Sequence, residues 1–321
     1  MLFAAYALAF LTIALAWPVP ILLAKATWPN RAPGTALALW QAIALAGGLS
    51  MIGALLTWGL TPFGDTLPSA LASLAQHVWN GTLPAATGFE HLIALTCAIL
   101  LATHLILNLV ATFIRTERQR RRHHQLVQLL SQPLPDRPGT RVIEHAAPVA
   151  YCLPGATRSI TVLSAGMLRL LQPDELRGVI AHEKAHLSQQ HHMVLLAFKS
   201  WHSALPWFPI ANRSENAVAL LVEMLADDQA RHVVDDITLA RAIALVGTAG
   251  RFDPTVEALA ETAHAEASSA AEPDHPFDMV LPRVRRLTGQ YPPLPVAARV
   301  AVFAGAILLL AVPTAMLLLL S

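Results

Sequence analysis

A short stretch of the chain, His182-Glu183-Lys184-Ala185-His186, has the residue types and spacing of a metal-dependent hydrolase. Two histidines four positions apart share one face of a helix, so both imidazoles can bind one zinc ion. The glutamate between them is placed to act as general base on a metal-bound water. The motif therefore predicts a zinc site that has Glu183 as its base and His182 and His186 as two of its ligands.

A third ligand is expected, because a catalytic zinc site usually takes three protein ligands and keeps one position open for water. Glu223 is the best candidate, since it lies in a separate helix with an apolar pattern, predicted over residues 215–233. Asp227 follows one turn later on the same face, where it can accept the outer N–H of a ligating histidine. Burying two acids among apolar neighbours requires a partner, and a metal site provides one.

Alternatives remain for several of these roles. Asp228 replaces Asp227 if the helix is rotated. Further candidate ligands are histidines after the motif, although residues of this kind are more often plainly exposed: His191, His192 and His202. A closed structural zinc site has no support, because Cys152 is the one cysteine of the polar region and is far from the motif in sequence.

The oxyanion that forms during peptide hydrolysis needs a further hydrogen-bond donor. His232 and Tyr151 are the candidates, and the sequence does not choose between them.

The motif lies in a polar region that mixes short strands with helices. Pro173 and two acids begin the helix that carries the motif, as helix starts prefer. Another helix is predicted over 191–204 and a short helical turn over 166–171. The predicted strands cover 141–146, 150–153 and 159–163, a small sheet that can offer its edge to an extended peptide. Residues 253–277 are rich in Ala, Ser, Glu and Pro, a composition that predicts a connecting segment and not a helix or strand of the core.

The rest of the chain has the composition of a membrane protein. The mean hydropathy is +0.49, and 55% of the residues are hydrophobic while only 13% are charged, which is outside the range of ordinary soluble domains. Four segments are long and apolar enough to cross a bilayer: 2–24, 36–60, 91–114 and 298–320. The first lacks a basic start and is too long for a signal peptide, so we expect a retained helix.

Basic residues define the expected orientation. Five arginines between 115 and 122 crowd the end of the third segment, and Arg283, Arg285, Arg286 and Arg299 precede the fourth. The positive-inside rule therefore predicts a multi-pass protein of the cell membrane with a cytoplasmic polar domain and both termini extracytoplasmic. Free cysteines, Cys97 and Cys152, fit a reducing compartment.

These observations predict an α-helical polytopic membrane protein with a cytoplasmic α+β domain. Residues 1–114 form a membrane domain of three helices, residues 115–297 the polar domain, and residues 298–321 the fourth transmembrane helix. His104 and Asn108, one turn apart in the third segment, are expected to join helices, with a sensing contact as the alternative.

Together, His182-Glu183-x-x-His186 and Glu223-x-x-Ala226-Asp227 resemble the motifs of gluzincin membrane metallopeptidases. With three apolar segments, a zinc domain and a fourth segment, nearly the whole chain is similar to the BlaR/MecR-type antirepressor peptidases. Supporting similarity runs from Ala150-Tyr151-Cys152 through Asp174-Glu175-Leu176. The resemblance implies a zincin-like (gluzincin) domain in which His182, His186 and Glu223 bind one catalytic Zn²⁺ and Glu183 is the base.

The resemblance also implies partners. The expected substrate is a BlaI-like winged-helix repressor, with self-cleavage in 253–277 as a second event. The lipid bilayer is an expected partner, a second copy of the chain is an alternative one, and no direct binding of nucleic acid is expected.

Full BlaR/MecR receptors carry an extracellular penicillin-binding sensor after the fourth helix. Because this chain stops at Ser321 and the 61–90 loop is short, we expect a form without that sensor.

Two other functions fit the same residues. One is an HtpX-like or CaaX-protease-like peptidase for quality control or processing, which shares the ligand pattern. The other is a non-proteolytic membrane receptor with a structural zinc site. Glu183 argues against the receptor, because a structural site has no need of a base.

Overall fold

The structure, a computed structural model, describes residues 1–134, 139–153, 160–206, 210–249, 277–289 and 292–319. The predicted connection at 253–277 therefore lies outside the described residues, apart from Phe277.

Within the described residues, four helical segments are long and apolar enough to cross a membrane, as the sequence predicts. The first consists of α1 (Leu2–Ala16) and α2 (Pro18–Lys25), which meet at Trp17 because Pro18 cannot continue the preceding helix. The second is α3 (Pro33–Leu60), after a 3-10 turn at Trp28–Arg31. The third and fourth lie in α5 (Phe89–Leu130) and α12 (Val296–Leu319).

Two features of this part differ from the sequence prediction. The segment 61–90 is more than a loop, because it contains helix α4 (Leu67–Asn80), capped by Thr66 at its start and by Gly81 at φ +63° at its end. The helix that contains the third apolar segment also extends beyond the predicted residues 91–114. Helix α5 continues through the arginine cluster to Leu130, so one rigid element joins the membrane segment to the polar domain.

The polar domain contains a four-stranded sheet. Its strands are β1 (Ser131–Pro133), β2 (Thr140–Ile143), β3 (Ala150–Leu153) and β4 (Ile160–Ser164), in the order β1-β2-β4-β3. The β2–β4 pair is parallel, and the β1–β2 and β3–β4 pairs are antiparallel. The three predicted strands are present. Strand β1 was not predicted, because it is short and contains a proline.

Between the sheet and α12, the described part of the chain forms six further helices: α6 (Ala165–Leu170), α7 (Pro173–Ser188), α8 (His191–Ala204), α9 (Ile210–Ala230), α10 (Asp236–Ala249) and α11 (Phe277–Leu287). The predicted motif helix is α7, and the predicted helices over 191–204 and 215–233 are α8 and α9. A capping box at Gln172 and Glu175 begins α7, with the Gln172 N–H donating to Glu175 over 2.8 Å.

The largest core of the molecule joins the two parts that the sequence analysis treated separately. Apolar side chains of α1, α2 and α3 pack together with those of α8 and α9 in a single buried cluster. Its members include Leu15, Trp40, Ile43, Phe198, Val218 and Val222. Helix α9, which carries Glu223 and Asp227, therefore packs directly on the membrane helices.

Candidate metal centre

The motif helix α7 is fixed on one side by an apolar contact surface. Leu176 is buried with side chains of β4, α6 and α10, and Gly178 lies against Val234 and Leu239. A side chain at Gly178 would place its Cβ only 3.0 Å from Val234. This close packing of one face leaves His182 and His186 on another face, directed towards α9.

Three ligand atoms converge between α7 and α9. The Nε2 atoms of His182 and His186 are 3.1 Å apart. Glu223 completes the group, with Oε2 at 3.2 Å from His182 Nε2 and Oε1 at 3.3 Å from His186 Nε2. In a tetrahedral site with ligand bonds of about 2.0–2.1 Å, ligand atoms lie roughly 3.3 Å from one another. The three predicted ligands therefore have the spacing of a zinc site.

Asp227 has the position that the sequence predicts for it. Its side chain is fully buried, and its Oδ1 lies 2.9 Å from His182 Nδ1. With a metal ion on Nε2, the proton of His182 would be on Nδ1, where this carboxylate can hold the ring in orientation. Asp228, the alternative, instead accepts from Arg286 over 2.8 Å. Of the two acids, Asp227 is therefore the one that lies against a candidate ligand.

His191 orients the other histidine, a role that the sequence analysis did not identify. Its Nδ1 lies 3.0 Å from His186 Nδ1, and its Nε2 lies 2.7 Å from Gln189 Oε1. Burial and the nearby His186 lower the pKa of His191 to about 4, so it is neutral and accepts the N–H of His186. The expectation of plain exposure is wrong for His191 and His202, which are buried, while His192 is half-buried.

Arg283 on α11 is the second residue that the sequence analysis missed as part of the site. Its Nε and NH2 donate to the two Asp227 oxygens over 2.8 and 2.7 Å, a bidentate pair. Its NH1 also lies 2.9 Å from Glu223 Oε2. In the sequence, Arg283 indicated only the expected membrane orientation. A weak signal existed, since α11 has its charged and apolar residues on opposite faces.

The charges of the site support a divalent cation. Burial tends to raise the pKa of Glu223, but the Arg283 charge and the hydrogen bonds from both histidines hold it well below its usual range. The pKa of Asp227 is lowered in the same way. Burial tends to lower the pKa of His182, yet hydrogen bonds to Asp227 and Glu223 raise it to about 10. The electrostatic field that attracts a proton here attracts a metal cation for the same reason.

Glu183 lies beside the ligands and close to the edge of the sheet. Burial raises its pKa, and the nearby histidines oppose that effect. Strand β3 lies next to α7, and its Cys152 interacts electrostatically with Glu183. The Cys152 Sγ atom lies 3.3 Å from Thr161 Oγ1 of β4. Among the described residues, Cys152 is not one of the group that could hold a metal, which contains His182, His186 and Glu223.

The two candidates for the oxyanion donor are placed elsewhere. Because strand residues alternate in direction, Tyr151 and Cys152 point to opposite faces of the sheet. Tyr151 packs with Val127 and Leu153 on the face towards α5, where burial raises its pKa to about 12. His232 is exposed in the turn after α9. The structure brings neither of them into the group of ligand atoms.

Comparison with known proteins agrees with this geometry. The family model of peptidase family M48 matches residues 114–251, less than half of the chain. The matched segment contains all three ligands, Glu183 and Asp227, and it ends before Arg283. No curated protein and no solved structure gave a significant match. The chain is thus a metallopeptidase, and its residues 114–251 are similar to peptidase family M48, a family of zinc metallopeptidases.

Proposed function

We propose that the protein is a membrane-bound zinc endopeptidase that hydrolyses polypeptides at the cytoplasmic membrane surface. The observation that carries this proposal is the convergence of His182, His186 and Glu223 within hydrogen-bonding distance of one another, beside an unligated Glu183. Four apolar helical segments support attachment to the membrane. The cytoplasmic placement rests on the arginines at 115–122 and 283–299.

The residues divide the chemistry between them. His182, His186 and Glu223 would hold the zinc ion, which when bound acts as a Lewis acid and lowers the pKa of water at the site to about 7. Glu183 accepts the proton of that water and passes it to the leaving amine. Asp227 and His191 hold the two imidazoles in orientation, and Arg283 balances the buried acids. An extended substrate would run along the β3 edge beside α7.

The first candidate substrate is a BlaI-like winged-helix repressor, whose cleavage would relieve transcriptional repression. This candidate rests on the resemblance of the whole chain to BlaR/MecR-type peptidases. Cleavage of the protein itself within 253–277 would accompany it. Association of the protein into a homo-oligomer is part of the same proposal.

The second candidate is an HtpX-like or CaaX-protease-like role in quality control or processing. The similarity to peptidase family M48 is equally consistent with this role. The packing of α9, which supplies Glu223, against α3 favours substrates that come close to the membrane.

The activity is tested with full-length protein in detergent micelles, using fluorescein-labelled casein and a purified BlaI-like repressor as substrates. We expect Glu183→Gln to lower the rate of hydrolysis by about 10²–10⁴-fold, because it removes the general base. Its zinc content should equal that of wild type. Exposed Glu144, on the loop after β2, gives the matched control Glu144→Gln, which should leave the rate unchanged.

Three outcomes separate the possibilities. Cleavage of both substrates supports a general peptidase, and cleavage of the repressor alone supports the antirepressor role. Equal rates for wild type and Glu183→Gln on every substrate would refute the assignment of Glu183. Orientation is tested separately with a phosphatase fused to Ser321, which should be active outside the cytoplasm.

A further inference from the structure

Helices α8 and α9 form a hairpin that contacts the third membrane segment at two levels. Asn108 donates through Nδ2 to the Ser200 carbonyl over 2.6 Å and accepts from the Ser203 hydroxyl over 3.1 Å. One turn along α5, His104 Nε2 donates to the Ala204 carbonyl over 3.1 Å. His104 and Asn108 therefore join two helices, as predicted, and the helix that they join to α5 is α8 of the polar domain.

The positions of these contacts give the depth of the hairpin. The apolar part of α5 ends at Arg115, and His104 lies eleven positions before it, about 16 Å along the helix at 1.5 Å per residue. Because the hydrocarbon core of a bilayer is about 30 Å thick, His104 lies close to its centre. The end of α8 that contacts His104 is at the same depth.

A second membrane helix gives the same depth independently. Trp201 packs against Gly48, near the middle of α3, so closely that a Cβ there would lie 2.8 Å from the indole ring. Phe198 is buried in the same cluster as Trp40 and Ile43 of α3. Two separate membrane helices therefore place the end of α8 at the middle of the bilayer.

The chemistry of the hairpin is compatible with this depth. Residues 205–209, between the two helices, have the sequence Leu-Pro-Trp-Phe-Pro and contain no charge. On the described helices, Lys199 and Glu215 interact electrostatically across the hairpin, as charged residues within membranes do. Among the exposed described residues of α8 and the two positions after it, Met193, Ala197 and Pro206 are apolar, and the polar Ser203 donates to Asn108.

We infer that the α8–α9 hairpin is a re-entrant element of the membrane domain, whose partner is the hydrocarbon interior of the bilayer. Helix α9 then begins in the membrane and rises to its surface. Leu225 lies at the level of Gly34, in the first turn of α3, with its Cδ2 3.6 Å from where a Cβ would be. Glu223 is therefore at the membrane boundary. This inference does not depend on peptidase activity.

The test places a nitroxide label at single cysteines in full-length protein reconstituted in liposomes, with Cys97 and Cys152 replaced by alanine. The labelled positions are the exposed residues Met193, Ala197 and Pro206 along the hairpin. Exposed Leu107 of α5 is the lipid reference, and exposed Ser188 at the end of α7 is the water reference. Accessibility to oxygen and to a nickel chelate is measured by electron paramagnetic resonance.

We expect the ratio of oxygen to nickel accessibility to rise from Met193 through Ala197 to Pro206 and to approach the Leu107 value. A ratio at Pro206 equal to that of Ser188 would overturn the inference, since it would mean that water surrounds the end of the hairpin. Zinc content of each labelled protein shows that it is folded. If Pro206→Cys does not fold, the rise between Met193 and Ala197 decides alone, and its absence overturns the inference.

Discussion

At the residue scale, Arg283 connects three features of the site. It binds both oxygens of Asp227, touches Glu223, and belongs to α11, which is distant in sequence from either acid. Without it, two buried carboxylates would repel each other wherever no cation lies between them. The arginine therefore keeps the ligand set assembled before a metal ion binds.

Replacing Arg283 with methionine should destabilise the zinc-free protein strongly. Removal of one partner from a buried ion pair typically costs about 3–5 kcal/mol, because the other charge stays buried. The loss should be smaller with zinc, whose charge replaces that of the arginine. The measurement is the thermal unfolding midpoint in detergent with zinc and with chelator. Arg285→Met, at an exposed position on the same helix, is the control, and equal midpoints for both variants would contradict the role.

The contact between His191 and His186 makes a separate prediction. His191→Leu should raise the zinc dissociation constant by about 10–100-fold, because residues that orient a ligand contribute that much. His191→Asn should recover part of the affinity, since its amide oxygen can still accept from His186. Competition with a chromogenic chelator measures both. His192→Leu should bind zinc like wild type, and an Asn variant as weak as the Leu variant would reduce His191 to a packing role.

At the scale of elements, α9 has three faces with different tasks. Val218, Leu221 and Val222 pack on the membrane helices, and Ala230 packs with α10 and α11. Glu223 and Asp227 occupy the remaining face, towards α7. The helix can hold two acids among apolar neighbours because each acid meets a histidine and Arg283.

The contact between α3 and α8 is tested with Gly48→Ala. The added Cβ would lie 2.8 Å from Trp201, so the two helices must separate or the indole must move. We expect a loss of about 1–3 kcal/mol in the free energy of unfolding, as for other overpacked cores. Trp201→Phe in the same chain should relieve part of the loss.

Gly305→Ala provides the matched control for this experiment. Gly305 is also inside a membrane helix, and a Cβ there meets nothing within 4 Å. Alanine favours the helix over glycine, so this variant should be as stable as wild type or slightly more stable. Equal effects of the two substitutions would show that the α3–α8 contact is not close.

At the scale of the whole molecule, the membrane part and the catalytic part are one folding unit. Their shared core contains side chains of α1, α2, α3, α8 and α9, and α5 runs through both parts. Arg31, after the first membrane segment, also donates to the Pro292 carbonyl over 2.7 Å, just before α12.

A fragment of residues 115–297 should therefore fail to fold in aqueous buffer. It would expose the apolar faces of α8 and α9, which normally pack on α3. We expect aggregation and no stoichiometric zinc binding, measured by size-exclusion chromatography and metal analysis. As a control, fragments 1–85 and 86–321, divided in the loop between α4 and α5, should reassemble when co-expressed, since every helix stays whole. A soluble, zinc-binding 115–297 fragment would contradict the shared core.

The sequence by itself determined the features that depend on local patterns. The length of an apolar segment predicts whether it can cross a membrane. A spacing of four positions puts two histidines on the same helix face in any surroundings. Glu223 and Asp227 were found for a similar reason, since two acids in an apolar helix require a buried partner. The extension of α5 beyond residue 114 was not predicted, because charge composition marks the membrane surface and not the end of a helix.

Only the tertiary structure decided which distant groups meet. Arg283 is separated from Asp227 by 56 positions and His104 from Ala204 by 100, so no local period relates them. The partner of His186 depended on the turn at Gln190, at φ +52°, which places His191 beside the motif helix. The spacing of residues in the sequence predicts which side chains share one helix face, and therefore which groups can bind one ion. The charge balance of the site and the depth of a helix in the membrane depend on packing between helices, which this spacing does not predict.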